Sequence, residues 1–352
     1  LTMNPKGNSS VFAQLKYSVD DGTRPFFCAV GAPPRNGSRY SGSAMQPVEV
    51  EVRNGRGLGL ELDTHSFTMV EHPTQLSTED FYQAQDKVRT VYYAEMEELL
   101  RRETGAAHVK VFHHQVRNAE KANGSVTTNL ATTVQPYAEA IHSDSSGLSA
   151  QQMVKKMLAT GQVDPSRYGK GRFLYVNTWR NISAHPIESN PLAVCDETSL
   201  SKPEDYIASD FLAGDATVVQ YKLDCTNSSR HRWYYFPRMT KNEVILFKQW
   251  DSDSDKEGRI CFHTAFQDPT TKEDARVRES IECRALCFFP EHTPDTMSHL
   301  APGGEAAGPS GECDEVRRGV AGIEAAVESF AFWPPAGIMW AKSSVRSEAG
   351  VR

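Results

Sequence analysis

Arg172-Phe-Leu-Tyr-Val-Asn177 is a short apolar segment with β-strand chemistry, and the fold is decided by how many more like it follow. Thr217-Val-Val-Gln-Tyr221, Trp233-Tyr-Tyr-Phe236, Val244-Ile-Leu-Phe247, Ile260-Cys-Phe262 and the run from Ile281 to Phe289 repeat the pattern, with Gly, Pro and Asp between them. β-branched and aromatic side chains suit a pleated surface, and the helical period is missing from these stretches. Strands spaced in this way, with helices gathered outside them, predict a mainly β fold with flanking helices, a β-sandwich or jelly roll.

Toward the N-terminus, Phe26-Phe27, Val48-Glu-Val-Glu-Val52 and Leu58-Gly-Leu-Glu-Leu62 read as further strands. Gly55-Arg-Gly57-Leu-Gly59 is not a phosphate loop on this reading, because it runs into the alternating Leu60-Glu-Leu62-Asp63 instead of opening a helix. A helix is predicted from Ser77, with Asp80 as its capping partner. Phe81, Ala84, Val88, Tyr92, Met96 and Leu99 follow at helical spacing, and Gly105 lies past the end. Val109 to Phe112 is a short strand leading to His113-His114. A second helix is predicted from Ser149, with Gln152 closing a capping box, to Gly161.

The sequence predicts one strand-rich domain with N-terminal strands and helices over 1–295, a flexible linker over 296–312 and a helical appendix over 313–352. The linker holds Pro302-Gly-Gly-Glu-Ala-Ala-Gly-Pro-Ser-Gly311, which is poor core-forming material. In the appendix Val316, Val320, Ile323, Val327 and Phe330 make one apolar helix face. Three readings of that face stay open: docking on the barrel, a lid over the site, or a homodimer contact.

The 352 residues carry 38 Lys+Arg against 45 Asp+Glu, a formal charge of −7. With a pI near 5.9 and no basic block, nucleic acid and anionic membrane are not expected partners. No apolar run reaches the roughly 18–20 residues of a membrane span. Seven cysteines include no Cys-x-x-Cys pair, so neither a disulfide scaffold nor a zinc ribbon is indicated. Five Asn-x-Ser sites are read as incidental, and a cytoplasmic location is expected.

His142-Ser-Asp144 puts an imidazole and a carboxylate two residues apart, on one side of an extended segment. Alone this is a weak signal, arising by chance on the order of once in every two such chains. A distal histidine, His263, follows on a later strand. Two histidines and one carboxylate leave three adjacent positions on Fe(II) for a bidentate cosubstrate and O2. Arg278-Glu-Ser280 comes fifteen residues after His263, at the head of the Ile281 strand. Its guanidinium fork and hydroxyl suit the far carboxylate of 2-oxoglutarate. The order of the four features is what gives them weight.

Further stretches carry a resemblance: Val111-Phe-His-His-Gln-Val-Arg117, Val176-Asn-Thr-Trp-Arg180, Asn190-Pro-Leu-Ala-Val-Cys-Asp196, Trp233-Tyr-Tyr-Phe-Pro237, Leu246-Phe-Lys-Gln-Trp-Asp-Ser252, His263-Thr-Ala-Phe266 and Arg278-Glu-Ser-Ile-Glu282. The chain resembles the fungal and bacterial non-haem iron hydroxylases and desaturases, a group with a gibberellin desaturase, an aspergillic-acid hydroxylase and a cephalosporin 7α-hydroxylase component. The resemblance implies a double-stranded β-helix and an Fe(II)/2-oxoglutarate-dependent oxidation of a small specialised metabolite. It implies iron on His142, Asp144 and His263 and 2-oxoglutarate on Arg278 and Ser280. One departure is His113, where the family pattern leads us to expect aspartate.

Other residues are less decided. Asn177 is assigned to the cosubstrate, and Arg117, Trp179, Arg180 and Trp233 to the substrate, with core packing or an ion pair as the competing reading of the last three. His113 and His114 should face opposite ways, and Cys195 is taken as packing. Asp251-Ser-Asp253-Ser-Asp255 lacks the glycine and glutamate of a calcium loop and is expected at a solvated hairpin tip. No catalytic group is expected beyond the iron centre. Two alternatives stand beside the oxygenase: an iron oxidase independent of 2-oxoglutarate, and a non-catalytic jelly-roll subunit accessory to another enzyme.

Overall fold

A computed structural model describes residues 2–3, 9–28, 34–38, 40–42, 44–122, 134–213 and 216–289. The linker and the helical appendix expected beyond residue 295 lie outside the described residues. In chain order the strands are β1 (Thr2–Met3), β2 (Ser9–Ser18), β3 (Phe26–Cys28), β4 (Tyr40–Ser41), β5 (Met45–Asn54), β6 (Phe67–Glu71), β7 (His108–Arg117), β8 (Arg172–Asn181) and β9 (Leu192–Asp196). They continue with β10 (Tyr206–Ala213), β11 (Ala216–Leu223), β12 (Arg232–Tyr235), β13 (Glu243–Asp251), β14 (His263–Ala265) and β15 (Ser280–Phe289).

The antiparallel sheet β6-β13-β8-β15-β7 forms one wall of a jelly roll. The other wall combines β1-β2-β5-β12-β9-β14 with β11-β10-β3-β4. These two parts are joined at His142, which is bridged to Lys222 of β11 on one side and to His263 of β14 on the other. Leu15, Val52, Phe173, Tyr175, Trp233 and Leu286, contributed by both walls, meet in a shared apolar core. The fold is the curled, helix-flanked β-structure that the strand pattern predicts.

The outer face of the first wall is covered by helix. Ser77 and Asp80 form the expected capping box for Thr78–Gln83. The helical path then breaks at Ala84 and passes through a π-helical turn (Val88–Tyr92) into Tyr93–Thr104, where one uninterrupted helix was expected. Phe81, Val88, Tyr92, Met96 and Leu99 are fully buried against Leu174, Val176, Cys283 and Ala285 of the sheet. The expected apolar stripe therefore does face the sheet, and the extra residue of the π turn keeps it there.

Three local expectations are corrected. The second helix is Gly147–Ala159, capped by Ser146, whose hydroxyl accepts from the Ser149 N–H; the start is earlier than Gln152 suggested. Leu60-Glu-Leu-Asp63 is not a strand but the entry to a one-turn helix, Leu62–His65. Asp251 is not at a solvated tip: it is fully buried, 2.7 Å from the Lys248 ammonium and 2.6 Å from the Arg172 guanidinium. A carboxylate is tolerated there because two cations meet it. Among the described residues no helix is long and apolar enough to cross a membrane.

Candidate metal centre

The backbone bridges of His142 set the site. Directly opposed residues on antiparallel neighbours project to the same face, so His142 and His263 share one, and their ring centroids are 4.3 Å apart. The chain turns after Ser143 and returns the Asp144 carboxylate to the same point, with Oδ1 3.6 Å from His142 Nε2. One ligating atom from each of His142, Asp144 and His263 lies within 4.8 Å of the others, and all three residues are buried.

Each donor is prepared by its surroundings. His142 Nδ1 is 2.7 Å from the Ala140 carbonyl and His263 Nδ1 is 3.3 Å from that of Cys261. An Nδ1–H donating to a carbonyl leaves Nε2 as the free lone pair. Burial, then the His263 ring, push the His142 pKa well below its ordinary value, so the ring is neutral. Burial alone would raise the pKa of Asp144; Arg284, then the two imidazoles and the Asn177 amide, hold it well below the usual carboxylate range. Asp144 Oδ2 accepts from Asn177 Nδ2 at 2.6 Å and from Arg284 Nε at 3.0 Å, while the Asp144 N–H donates to Gln249 Oε1 at 2.6 Å. Asp144 Oδ1 is buried with no hydrogen-bond partner among the described residues. Two imidazole nitrogens and one carboxylate oxygen that lacks a hydrogen-bond partner fit a divalent transition ion held on one face.

A pocket opens beside the histidines, lined by Arg117, Trp179, Leu192, Ala265, Arg278 and Glu282. Arg278 is 2 % exposed. Its Nη1 donates to the Asn190 carbonyl at 2.5 Å, and its guanidinium lies 4.0 Å from the centre of the Tyr137 ring. Burial pulls its pKa down to about 9. Its Nε and the Ser280 hydroxyl are buried with no hydrogen-bond partner among the described residues.

The expected residues divide. Arg117, Trp179 and Arg278 line the pocket, and Asn177 braces Asp144. Arg180 and Trp233 are not brought there. Arg180 points to the helical side of β8, bonding Tyr92 Oη at 3.0 Å and the Lys241 carbonyl. Trp233 is in the apolar core, its indole N–H donating to Tyr17 Oη at 2.7 Å. His113 points inward, its Nδ1 3.2 Å from Arg284 Nη1, whereas His114 points outward to Tyr93 and Gln85. Arg284, Glu282 and Gln249 were missed as site residues. A period-two reading of Arg278, Ser280, Glu282 and Arg284 would have found two of them. Lys222, opposite His142, was missed as well; burial brings its ammonium down to about 8 despite the Asp144 carboxylate.

Fold and site together define a non-haem iron oxygenase built on a jelly roll. Residues 15–288 match the family described as "Oxidoreductase/YMDC permease-like domain". The hydroxylase/desaturase efuI of Hormonema carpetanum is 30% identical over 260 residues, covering 69% of this chain and 84% of that protein. The alpha-ketoglutarate-dependent dioxygenase phiK of a fungal species is 30% identical over 254 residues, 71% of this chain and 87% of that one. Among solved structures, the iron and alpha-ketoglutarate-dependent endoperoxidase NvfI has the same fold, with a TM-score of 0.67 at 24% identity over 80% of this chain and 99% of that one. This chain belongs to the fungal Fe(II)/2-oxoglutarate-dependent hydroxylase, desaturase and dioxygenase family. It is an iron-dependent oxidoreductase acting on a small metabolite.

Proposed function

We propose that the pocket beside His142 and His263 takes 2-oxoglutarate, with Arg278 and Ser280 on its far carboxylate, and that a substrate C–H bond is then hydroxylated, desaturated or joined to a second atom of the same molecule. The observation carrying this reading is the Arg278 guanidinium, which is buried in the lining shared with the histidines and has no ion-pair partner among the described residues. A buried cation is costly unless matched, and a dicarboxylate matches it. Arg278 Nε and Ser280 Oγ, both without hydrogen-bond partners among the described residues, can donate to the same group.

When bound, iron couples oxidative decarboxylation of 2-oxoglutarate by O2 to removal of a hydrogen atom from the substrate. The chain's own part is geometric. His142, Asp144 and His263 would hold the ion, and Asn177 and Arg284 fix the Asp144 carboxylate through Oδ2, leaving Oδ1 for it. Trp179, Leu192 and Ala265 keep that side of the pocket dry.

Anaerobic titration with Fe(II), then 2-oxoglutarate, should produce a weak visible charge-transfer band. We expect the band to vanish in His142→Ala and to require at least tenfold more 2-oxoglutarate in Arg278→Ala. Iron binding without a band would point to an oxidase independent of 2-oxoglutarate. An absence of iron binding would overturn the enzyme reading altogether.

A further inference from the structure

Paired residues cross the second wall in one file: Ile207, Lys222, His142, His263, Val194 and Tyr234, each opposed to the next across an antiparallel neighbour. Opposed residues share a face, so Lys222 stands on the same face as the two histidines, next to His142 and on the flank away from His263. Two residues earlier on β11, and so on that face too, Gln220 Nε2 reaches the Asp144 carbonyl at 3.4 Å. Lys222 is only partly exposed, within electrostatic reach of Asp144, and has no hydrogen-bond or ion-pair partner among the described residues.

The charges around the ion are unequal. Arg284 is held by Asp144 and Glu282, and Glu282 is also the acid that Arg117 senses. Arg278 senses the same Glu282, and Arg117 and Arg278 in the pocket and Lys222 outside its lining have no ion-pair partner among the described residues. One dicarboxylate satisfies Arg278 and the metal; it does not serve both flanks. Lys222 sits on the β10–β11 hairpin, which lengthens the second wall past His142, and it shares the face of His142 without lining the pocket that holds Arg278.

We propose that Lys222 is a specificity-determining residue: it pairs with an acidic oxygen group, a carboxylate, on the substrate, and thereby orients the substrate's hydrocarbon part toward the metal. This deepens the oxygenase reading and rests on it. The occupant is an amphipathic organic acid. A neutral substrate would leave the ammonium without an anionic partner.

The test uses defined probes: benzoic, 2-naphthoic and abietic acids, each against its methyl ester, added to the anaerobic Fe(II)–2-oxoglutarate form of the full chain. We expect at least one acid to perturb the visible band with tenfold or greater preference over its ester. Lys222→Met should lose that preference, Lys222→Arg should keep most of it, and both variants should bind 2-oxoglutarate as the parent does. Equal response to acids and esters, no response to any acid, or an acid preference surviving in Lys222→Met would overturn the proposal. Weakened 2-oxoglutarate binding in Lys222→Met would also overturn it, reassigning the lysine to the cosubstrate. If the parent shows no band, the 2-oxoglutarate reading fails by itself. The same acid–ester pairs are then read by equilibrium dialysis against the iron-free chain and its Lys222→Met variant.

Discussion

His113 and His114 are neighbours with opposite fates. β7 pairs with β15 through a bulge between Arg284 and Ala285, and this parity change sends His113 inward to Arg284 while His114 faces the helices. His114 is 5 % exposed and satisfied as a neutral ring: Tyr93 Oη donates to Nδ1 at 2.8 Å, and Nε2 is 2.9 Å from Gln85 Oε1. Burial, and then Arg89, lower its pKa to about 4. In the unfolded chain the ring titrates near its ordinary value, so stability from this residue is intact above about pH 6.5 and is lost as the pH falls toward 4. The span is worth about 3 kcal/mol as an upper figure. Urea midpoints measured from pH 7.5 to 4.5 should fall less steeply in His114→Gln than in the parent, and equal slopes would refute the assignment.

At the scale of the element, β15 is the strand on which the centre depends. Ser280, Glu282 and Arg284 project inward together with Arg278 just before them, while Ile281, Cys283 and Ala285 project into the helical layer. Arg284 is the brace of Asp144, and residues that orient a ligand typically contribute tenfold to a hundredfold in metal affinity. Arg284→Gln should weaken Mn(II) binding by that factor, read by electron paramagnetic resonance of the free ion, with the far-ultraviolet spectrum unchanged. Unchanged affinity in a folded variant would show that Asn177 alone suffices. Much of the arrangement was legible beforehand: the gathering of His142, Asp144 and His263, the place of Arg278 beside them and the strands follow from local patterns, and a periodicity of two or an x-spaced pair survives in the linear chain. What was not legible depends on distant parity. Arg180 and Trp179 are adjacent, and only the side of β8 that meets the helices decides which of them reaches the pocket. Lys222 gave no local signal, because its partner in the file, His142, lies eighty residues away. The misplaced start of Gly147–Ala159 has a smaller cause, since Ser146 and Ser149 are both good caps and only the hydrogen bond chooses between them.

For the whole molecule, an ion held by His142, Asp144 and His263 would be a fastener between walls. His142 and His263 belong to one wall, whereas Asp144 is tied to Asn177 and Arg284 of the other. Binding only to the folded form adds stability by mass action, about 2.7 kcal/mol when the ion is at a hundred times its dissociation constant. Mn(II), which does not turn over, should therefore raise the thermal midpoint by roughly 5 °C or more, and a chelator should remove the gain. His142→Ala should show no such rise. A rise of equal size in that variant would mean that the metal acts elsewhere.

The alternation of β15 also guards assembly against error. A slip of one residue would turn Glu282 and Arg284 out among Leu99, Val111 and Val176, and would put Ile281 and Cys283 against Asp144. Two stranded charges in an oily layer cost several kcal/mol each, so a mispaired sheet has nowhere to rest. The charged pair that braces Asp144 in the finished protein thus proofreads the pairing of the strands while the protein is being made.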